Sequence, residues 1–268
     1  MTDREIAALA RSALEEEVEL TPKPGLVDLE NHGANPDMDA ELFLRSARAL
    51  EPFFVRLAHT GSSLADLPAD ETLPFLRSIG FDAEKAMLEE TGGVNTHRGA
   101  LFSMGLLCAS AGRLSALSGT ITAESLCALT AQTVSGICSR ELRNDETHGQ
   151  QMHAKFGAKG VRGEVESGFF SARTYGLPIF RAAEERGKNR DEAALLTLLS
   201  LISNVADTNV LYRAGQDGLR WLQSRARALL WNFSPAGCRK LNEECIERNI
   251  SPGGCADLLS VTLFLLNF

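Results

Sequence analysis

The spacing of apolar residues most narrows what this chain can form. Ile6, Leu9, Ala10, Ala13, Leu14 and Val18 recur every three or four positions, which places them on one side of a helix. A second run, Leu42, Phe43, Ser46, Ala47, Leu50, Phe53, Phe54 and Leu57, repeats the pattern. Clean period-two alternation is absent, Leu and Ala dominate, and Val and Ile are sparse, so strands are not expected. Thr2-x-x-Glu5 reads as a capping box, and Pro22 and Pro24 end the first helix near Leu20. The second helix starts at about Asp39, with Pro52 as a kink or break. Further helical stretches cover Ala69–Glu90 (broken around Gly80), Arg98–Ala111, Thr122–Leu142 and Gly163–Thr174, with a restart at Tyr175. Asn189-x-x-Glu192 caps Ala193–Val205, and Gly215–Trp231, Pro235–Arg248 and Gly254–Leu266 complete the series. No fixed-period repeat, linker or shift in composition divides the chain. The expectation is an all-α fold, one compact domain of roughly ten helices over residues 1–268.

Charge narrows the partners. A net charge of -8 argues against nucleic acid and anionic membrane, which select basic surfaces. The apolar runs Ala193–Ile202 and Val261–Leu266 fall short of the ~20 residues of a membrane span, and Met-Thr-Asp-Arg-Glu lacks the pattern of a signal peptide. A cytoplasmic protein is expected. The six cysteines show no metal-ligand spacing, and Cys108, Cys127, Cys138 and Cys245 sit among apolar helical residues, which predicts buried thiols.

Five polar blocks between the helices are richer than connections require, and loops at one end of a helical bundle can converge on a shared cavity. Glu17–Asp28 contains Pro24-Gly25, with Lys23 as a point charge for phosphate. Thr91–Gly99 combines Gly92, Gly93, Asn95, Thr96, His97 and Arg98 ahead of a helix, a setting that favours an anion at unpaired N–H groups. Arg162-Gly163-Glu164 offers a cation and a carboxylate. Asp207-Thr208-Asn209 follows the most apolar helix, where a carboxylate is costly unless it is paired, metal-bound or catalytic; Arg213 is a candidate partner. Ser251-Pro252-Gly253-Gly254 opens the last helix, and Asp257 lies near its first turn, where the dipole favours a negative charge. Each block also has a plain structural reading as a cap or a solvated turn. P-loop, dinucleotide-binding, zinc-protease and nucleophile-elbow motifs are absent.

Four of these segments, in order, carry a resemblance: Glu-Leu-Thr-Pro-Lys-Pro-Gly-Leu-Val-Asp at 19–28, Thr-Gly-Gly-Val-Asn-Thr-His-Arg-Gly at 91–99, Ala-Asp-Thr-Asn-Val at 206–210 and Cys-Ile-Glu-Arg-Asn-Ile-Ser-Pro-Gly-Gly at 245–254. Together they resemble the triphosphoribosyl-dephospho-coenzyme A synthases, which make the prosthetic-group precursor of citrate lyase; a sister branch serves malonate decarboxylase. The resemblance is weakest at 58–78, 113–123 and 143–159, so no site residue is sought there.

The resemblance implies an enzyme that joins ATP and 3′-dephospho-coenzyme A and releases adenine, with inversion at the ribose carbon. A partner transferase then attaches the product to the acyl-carrier subunit of the lyase. Under that reading Asp207 is the first choice for general base, with Glu164 and His97 next. Lys23, Arg98 and Arg162 are cations for the triphosphate, and Gly25, Gly92, Gly93, Asn95, Thr96, Asn209, Arg213, Ser251, Gly253 and Gly254 are substrate contacts. Mg²⁺ is expected, with Asp28, Glu17 or Asp257 holding it. The rival readings are an all-helical Mg²⁺-dependent hydrolase of N-glycosidic or ADP-ribosyl bonds and a helical adaptor whose polar blocks are exposed rim.

Overall fold

The computed structural model describes residues 1–143 and 147–268. Its helices run α1 (Asp3–Glu19), α2 (Ala40–Ser63), α3 (Leu73–Glu90), α4 (Arg98–Ala116), α5 (Ala123–Thr133), α6 (Ile137–Glu141) and α7 (His148–Phe156). They continue as α8 (Gly160–Glu166), α9 (Leu177–Glu185), α10 (Arg190–Asn204), α11 (Thr208–Trp231), α12 (Pro235–Glu247) and α13 (Gly253–Leu265). Among the described residues there is no strand, and no single helix is long and apolar enough to cross a membrane.

Three helices are buried on nearly every side: α4 from Ala100 to Gly112, α10 from Ala193 to Ser203, and α13 from Leu258 to Leu265. A helix that is apolar all round belongs inside a protein. The amphipathic α1, α2, α3 and α11 pack around them, and the buried apolar residues form one contiguous cluster. α2 lies closest to α4 because glycines face the crossing. A Cβ on Gly61 would stand 2.0 Å from the Ala109 carbonyl oxygen, and one on Gly112 2.0 Å from that of Ala58. All six cysteines are buried free thiols, including Cys108, Cys127, Cys138 and Cys245, for which this was expected.

Several caps match the sequence reading. Thr2 and Glu5 form both halves of a capping box, Asp39 caps α2, and Asn189 caps α10. Several boundaries differ, among them α8, which ends at Glu166 where a helix was expected to run to Thr174. α3 runs unbroken through Gly80, and the break lies at Thr72, where Pro74 enters the first turn. α2 passes through Pro52 without ending. The 122–142 stretch is two helices, split where Gly136 takes φ 75°. The sequence reading did not separate α6, five residues long, from the 122–142 stretch and assigned no helix at α7. The polar break read at 143–149 includes Asn144–Glu146, outside the described residues.

Candidate active site

The N-termini of α4, α11 and α13 open on one cavity of about 1370 Å³. Unpaired N–H groups and the dipole make each such terminus an anion site. Here two aspartates occupy them. Asp207, the N-cap of α11, accepts from Asn209 N at 2.8 Å and Val210 N at 3.2 Å through Oδ1. Its Oδ2 accepts from Cys255 N of α13 at 2.9 Å, so one side chain joins two helix starts. Asp257 sits in α13 but serves α4: it accepts from Ala100 N, and a Cβ on Gly99 would stand 2.0 Å from its Oδ2. The sequence reading gave Asp257 to its own helix dipole, and the fold gives it to a neighbour's. Gly99 is small because this carboxylate lies against it.

Burial raises the pKa of Asp207 against the lowering by its three backbone donors. Asp257 is raised well above its ordinary value by burial, then by the charges of Glu17 and Asp207. Glu17 carries the nearest compensating cation. Nζ of Lys23 donates to its Oε1 at 2.6 Å and to its carbonyl oxygen, and Lys23 is only 1% exposed. Lys23 lines the cavity, yet its charge is already matched within the protein.

His97 is buried at the start of α4, where Ser46 Oγ shares hydrogen bonds with its Nδ1 at 2.9 Å and with Thr96 Oγ1 at 2.7 Å. Its Nε2 has no partner among the described residues, and Phe43 packs edge-on against the ring. Burial, then the charge of Lys23, pushes the imidazole down to about 3. His97 is therefore neutral at physiological pH and a weak base, suited to hydrogen bonding rather than proton transfer. An unfolded imidazole takes up its proton below 6.5, whereas the folded one resists until about 3. Stability from this group is full above 6.5 and is lost as pH falls through that window, by about 1.4 kcal/mol per pH unit. Between pH 7 and pH 5 wild type should lose roughly 2 kcal/mol more than His97→Gln in urea unfolding. Parallel losses would mean that the folded imidazole titrates normally.

The other candidates divide. Glu164 lines the cavity, accepts from Ser171 Oγ at 2.6 Å and Ser171 N at 3.1 Å, and has its pKa raised by burial. Arg162, Asn95, Thr96, Asn209, Ser251, Gly253 and Gly254 also line it. Asn95 Oδ1 accepts from Arg98 N at 3.2 Å in the loop that leads into α4. Arg98 is an exposed wall residue paired with Glu84 at 2.6 Å. The fold does not bring Asp28 to the wall. Its carboxylate accepts from the backbone N–H groups of Lys23, Glu30 and Asn31 and shapes the loop. Gly25 faces the α12–α13 connection, where a Cβ would meet the Ile250 carbonyl at 2.4 Å, and its N–H donates to Asn242. Gly92 and Gly93 take φ 64° and 93° in the turn that ends α3, with open space beside them. Positive φ alone accounts for glycine at both positions, and Gly93 also lines the cavity. Arg213 does not pair with Asp207; it donates to the Ala34 carbonyl and Asn35 Oδ1, both at 2.7 Å, and pins the 20–39 loop.

Glu17, Asp28 and Asp257 are not gathered as a ligand set. Among the described residues no three His, Cys, Asp or Glu side chains are arranged to hold a metal. The sequence reading passed over Ser46, whose polar position inside an apolar stripe was the available signal. It also passed over Arg77, Glu141 and Lys159, which line the wall beside Arg162. Arg77 and Lys159 belong to the stretches of weakest resemblance.

Comparison with known proteins agrees with this geometry. Residues 3–268 match the CitG family, described as ATP:dephospho-CoA triphosphoribosyl transferase. A Citrobacter koseri protein named "Probable 2-(5''-triphosphoribosyl)-3'-dephosphocoenzyme-A synthase" is 45% identical, over 97% of this chain and 89% of its own length. No solved structure shows significant similarity. With a helical cavity built on its polar blocks and a match along nearly its whole length, the chain belongs to the ATP:dephospho-CoA triphosphoribosyl transferase family.

Proposed function

We propose that the cavity transfers the triphosphoribosyl group of ATP to the 2′-hydroxyl of 3′-dephospho-coenzyme A, as the family's description indicates. The observation that carries the proposal is buried Asp207, set where two helix N-termini meet on the cavity wall. The bond from the ribose C1 to adenine breaks, and a bond from the acceptor oxygen to that carbon forms. The acceptor hydroxyl gives its proton to Asp207, and adenine leaves after gaining one. A carboxylate offers about four acceptor positions. Three hold backbone N–H groups, and the Cys255 thiol, a weak donor, lies against the carboxylate. In this reading the substrate hydroxyl takes that fourth position. A raised pKa makes Asp207 a better base than an ordinary carboxylate, and its charge opposes the oxocarbenium character at C1. Glu164, also raised, is the second carboxylate.

Asp257, on the cavity wall, would be the residue to hold a Mg²⁺ ion beside the triphosphate. The ion would neutralise triphosphate charge; Arg162 and the wall cations position the chain of phosphates. The one contiguous core supports a single domain, and the substrates support a cytoplasmic setting. The product would pass to a transferase that modifies the acyl-carrier subunit of citrate lyase.

Chromatography of ATP incubated with the protein tests this. Free adenine and a new coenzyme A derivative should appear only when dephospho-coenzyme A is present. Adenine release without the acceptor would point to the hydrolase reading, and ADP or AMP as product would overturn glycosyl transfer altogether.

A further inference from the structure

Two arginines share one carboxylate on the cavity wall. Arg77 of α3 pairs through Nη2 with Oε1 of Glu141, at the end of α6. Nε of Arg162, on α8, donates to Glu141 Oε2 at 2.8 Å. All three side chains are partly buried and line the cavity. Among the described residues this is the one ion-pair cluster with more cations than carboxylates. Glu15 also takes two arginines, Arg11 and Arg48, but there Arg11 reaches Glu51 as well and the charges balance.

A positive charge on a cavity wall with no carboxylate to match it among the described residues is unusual in a molecule of net charge -8. Burial, with repulsion from Arg162 and Arg140, lowers the pKa of Arg77, so the cluster gains from a further anion. Guanidinium forks bind carboxylate and phosphate with the same two-pronged geometry. Glu141 thus presents to the arginines what one edge of a phosphate would present.

We propose that Arg77 and Arg162 form a polyphosphate subsite whose place Glu141 holds until substrate arrives. Phosphate oxygens displace the carboxylate, and the guanidiniums pass from Glu141 to the substrate already oriented. The inference rests on the transferase reading, in which one substrate carries a triphosphate and the other a diphosphate.

Calorimetric titration with sodium tripolyphosphate, using the full chain, tests it without turnover. Glu141→Gln removes the internal competitor and should tighten binding about tenfold, whereas Arg162→Gln should weaken it by about tenfold or more. Arg162→Lys keeps the charge without the fork and should recover only part of the loss. Glu141→Asp, a milder change that retains a carboxylate, should fall between wild type and Glu141→Gln, which covers the case in which Glu141→Gln does not fold. Unchanged binding in the Glu141 variants and in Arg162→Gln would overturn the subsite. The KM of Arg162→Gln assigns the source: a rise for ATP marks the triphosphate, and a rise for dephospho-coenzyme A marks the diphosphate. A rise for neither would count against the proposal. If wild type binds tripolyphosphate but releases no adenine, the transferase reading fails and the subsite stands.

Discussion

Asp207→Asn should lower kcat for acceptor-dependent adenine release by about 10²- to 10⁴-fold, the usual contribution of a general base, with KM changed only a few-fold. The substitution is nearly isosteric, so the cavity keeps its shape while losing one charge. It also has a structural cost. The amide oxygen can still accept from Asn209 and Val210, but its NH₂ group would face the Cys255 N–H, leaving a buried donor unsatisfied at about 1–3 kcal/mol. Melting curves separate the two effects, since kcat is read on protein that is folded at the assay temperature. Asp207→Ser adds a control: Ser is also a good N-cap, so the start of α11 survives without the charge. If both variants turn over near the wild-type rate, Asp207 is a cap joining α11 to α13 and the base lies elsewhere. Glu164 would then be the next to replace.

The helices were legible because burial imposes its period directly on sequence. α1 and α2 show it in full, and their caps are local: Thr2 with Glu5, and Asp39 with the Leu42 N–H, need only residues three apart. The polar blocks were legible as blocks for the same reason, since they interrupt the apolar pattern. Their inner wiring was not. That Asp257 serves α4 rather than α13, or that Arg213 holds the 20–39 loop rather than Asp207, depends on which helix ends meet. Spacing along the chain carries no such information. Gly25, Gly92 and Gly93 show the opposite hazard. Glycine next to a candidate site reads as room for a ligand, but a positive φ calls for glycine by itself, and at Gly25 a backbone neighbour does so as well. Arg77 and Glu141 lie 64 residues apart and neither sits in a motif, so only the folded wall reveals them as partners.

Lys23 is the candidate whose role changes most between sequence and structure, and its replacement should be the most destabilising of those considered. Lys23→Met keeps the length and apolar stem but strands the Glu17 carboxylate, which is buried and lies near Asp257. Removing one partner of a buried pair costs about 3–5 kcal/mol, because the other is left without compensation. The double variant Lys23→Met with Glu17→Gln should recover much of that loss, since removing both charges together can be nearly neutral. Urea unfolding of wild type, both single variants and the double variant closes the cycle and isolates the pair term. The same proteins test whether Lys23 is a phosphate ligand. With its charge already matched by Glu17, the double variant should keep a KM for ATP within a few-fold of wild type. A large rise in that KM without loss of stability would return Lys23 to the triphosphate. A single variant within about 1 kcal/mol of wild type would show that Glu17 either sheds its charge or finds another cation, the value expected of an exposed pair rather than a buried one.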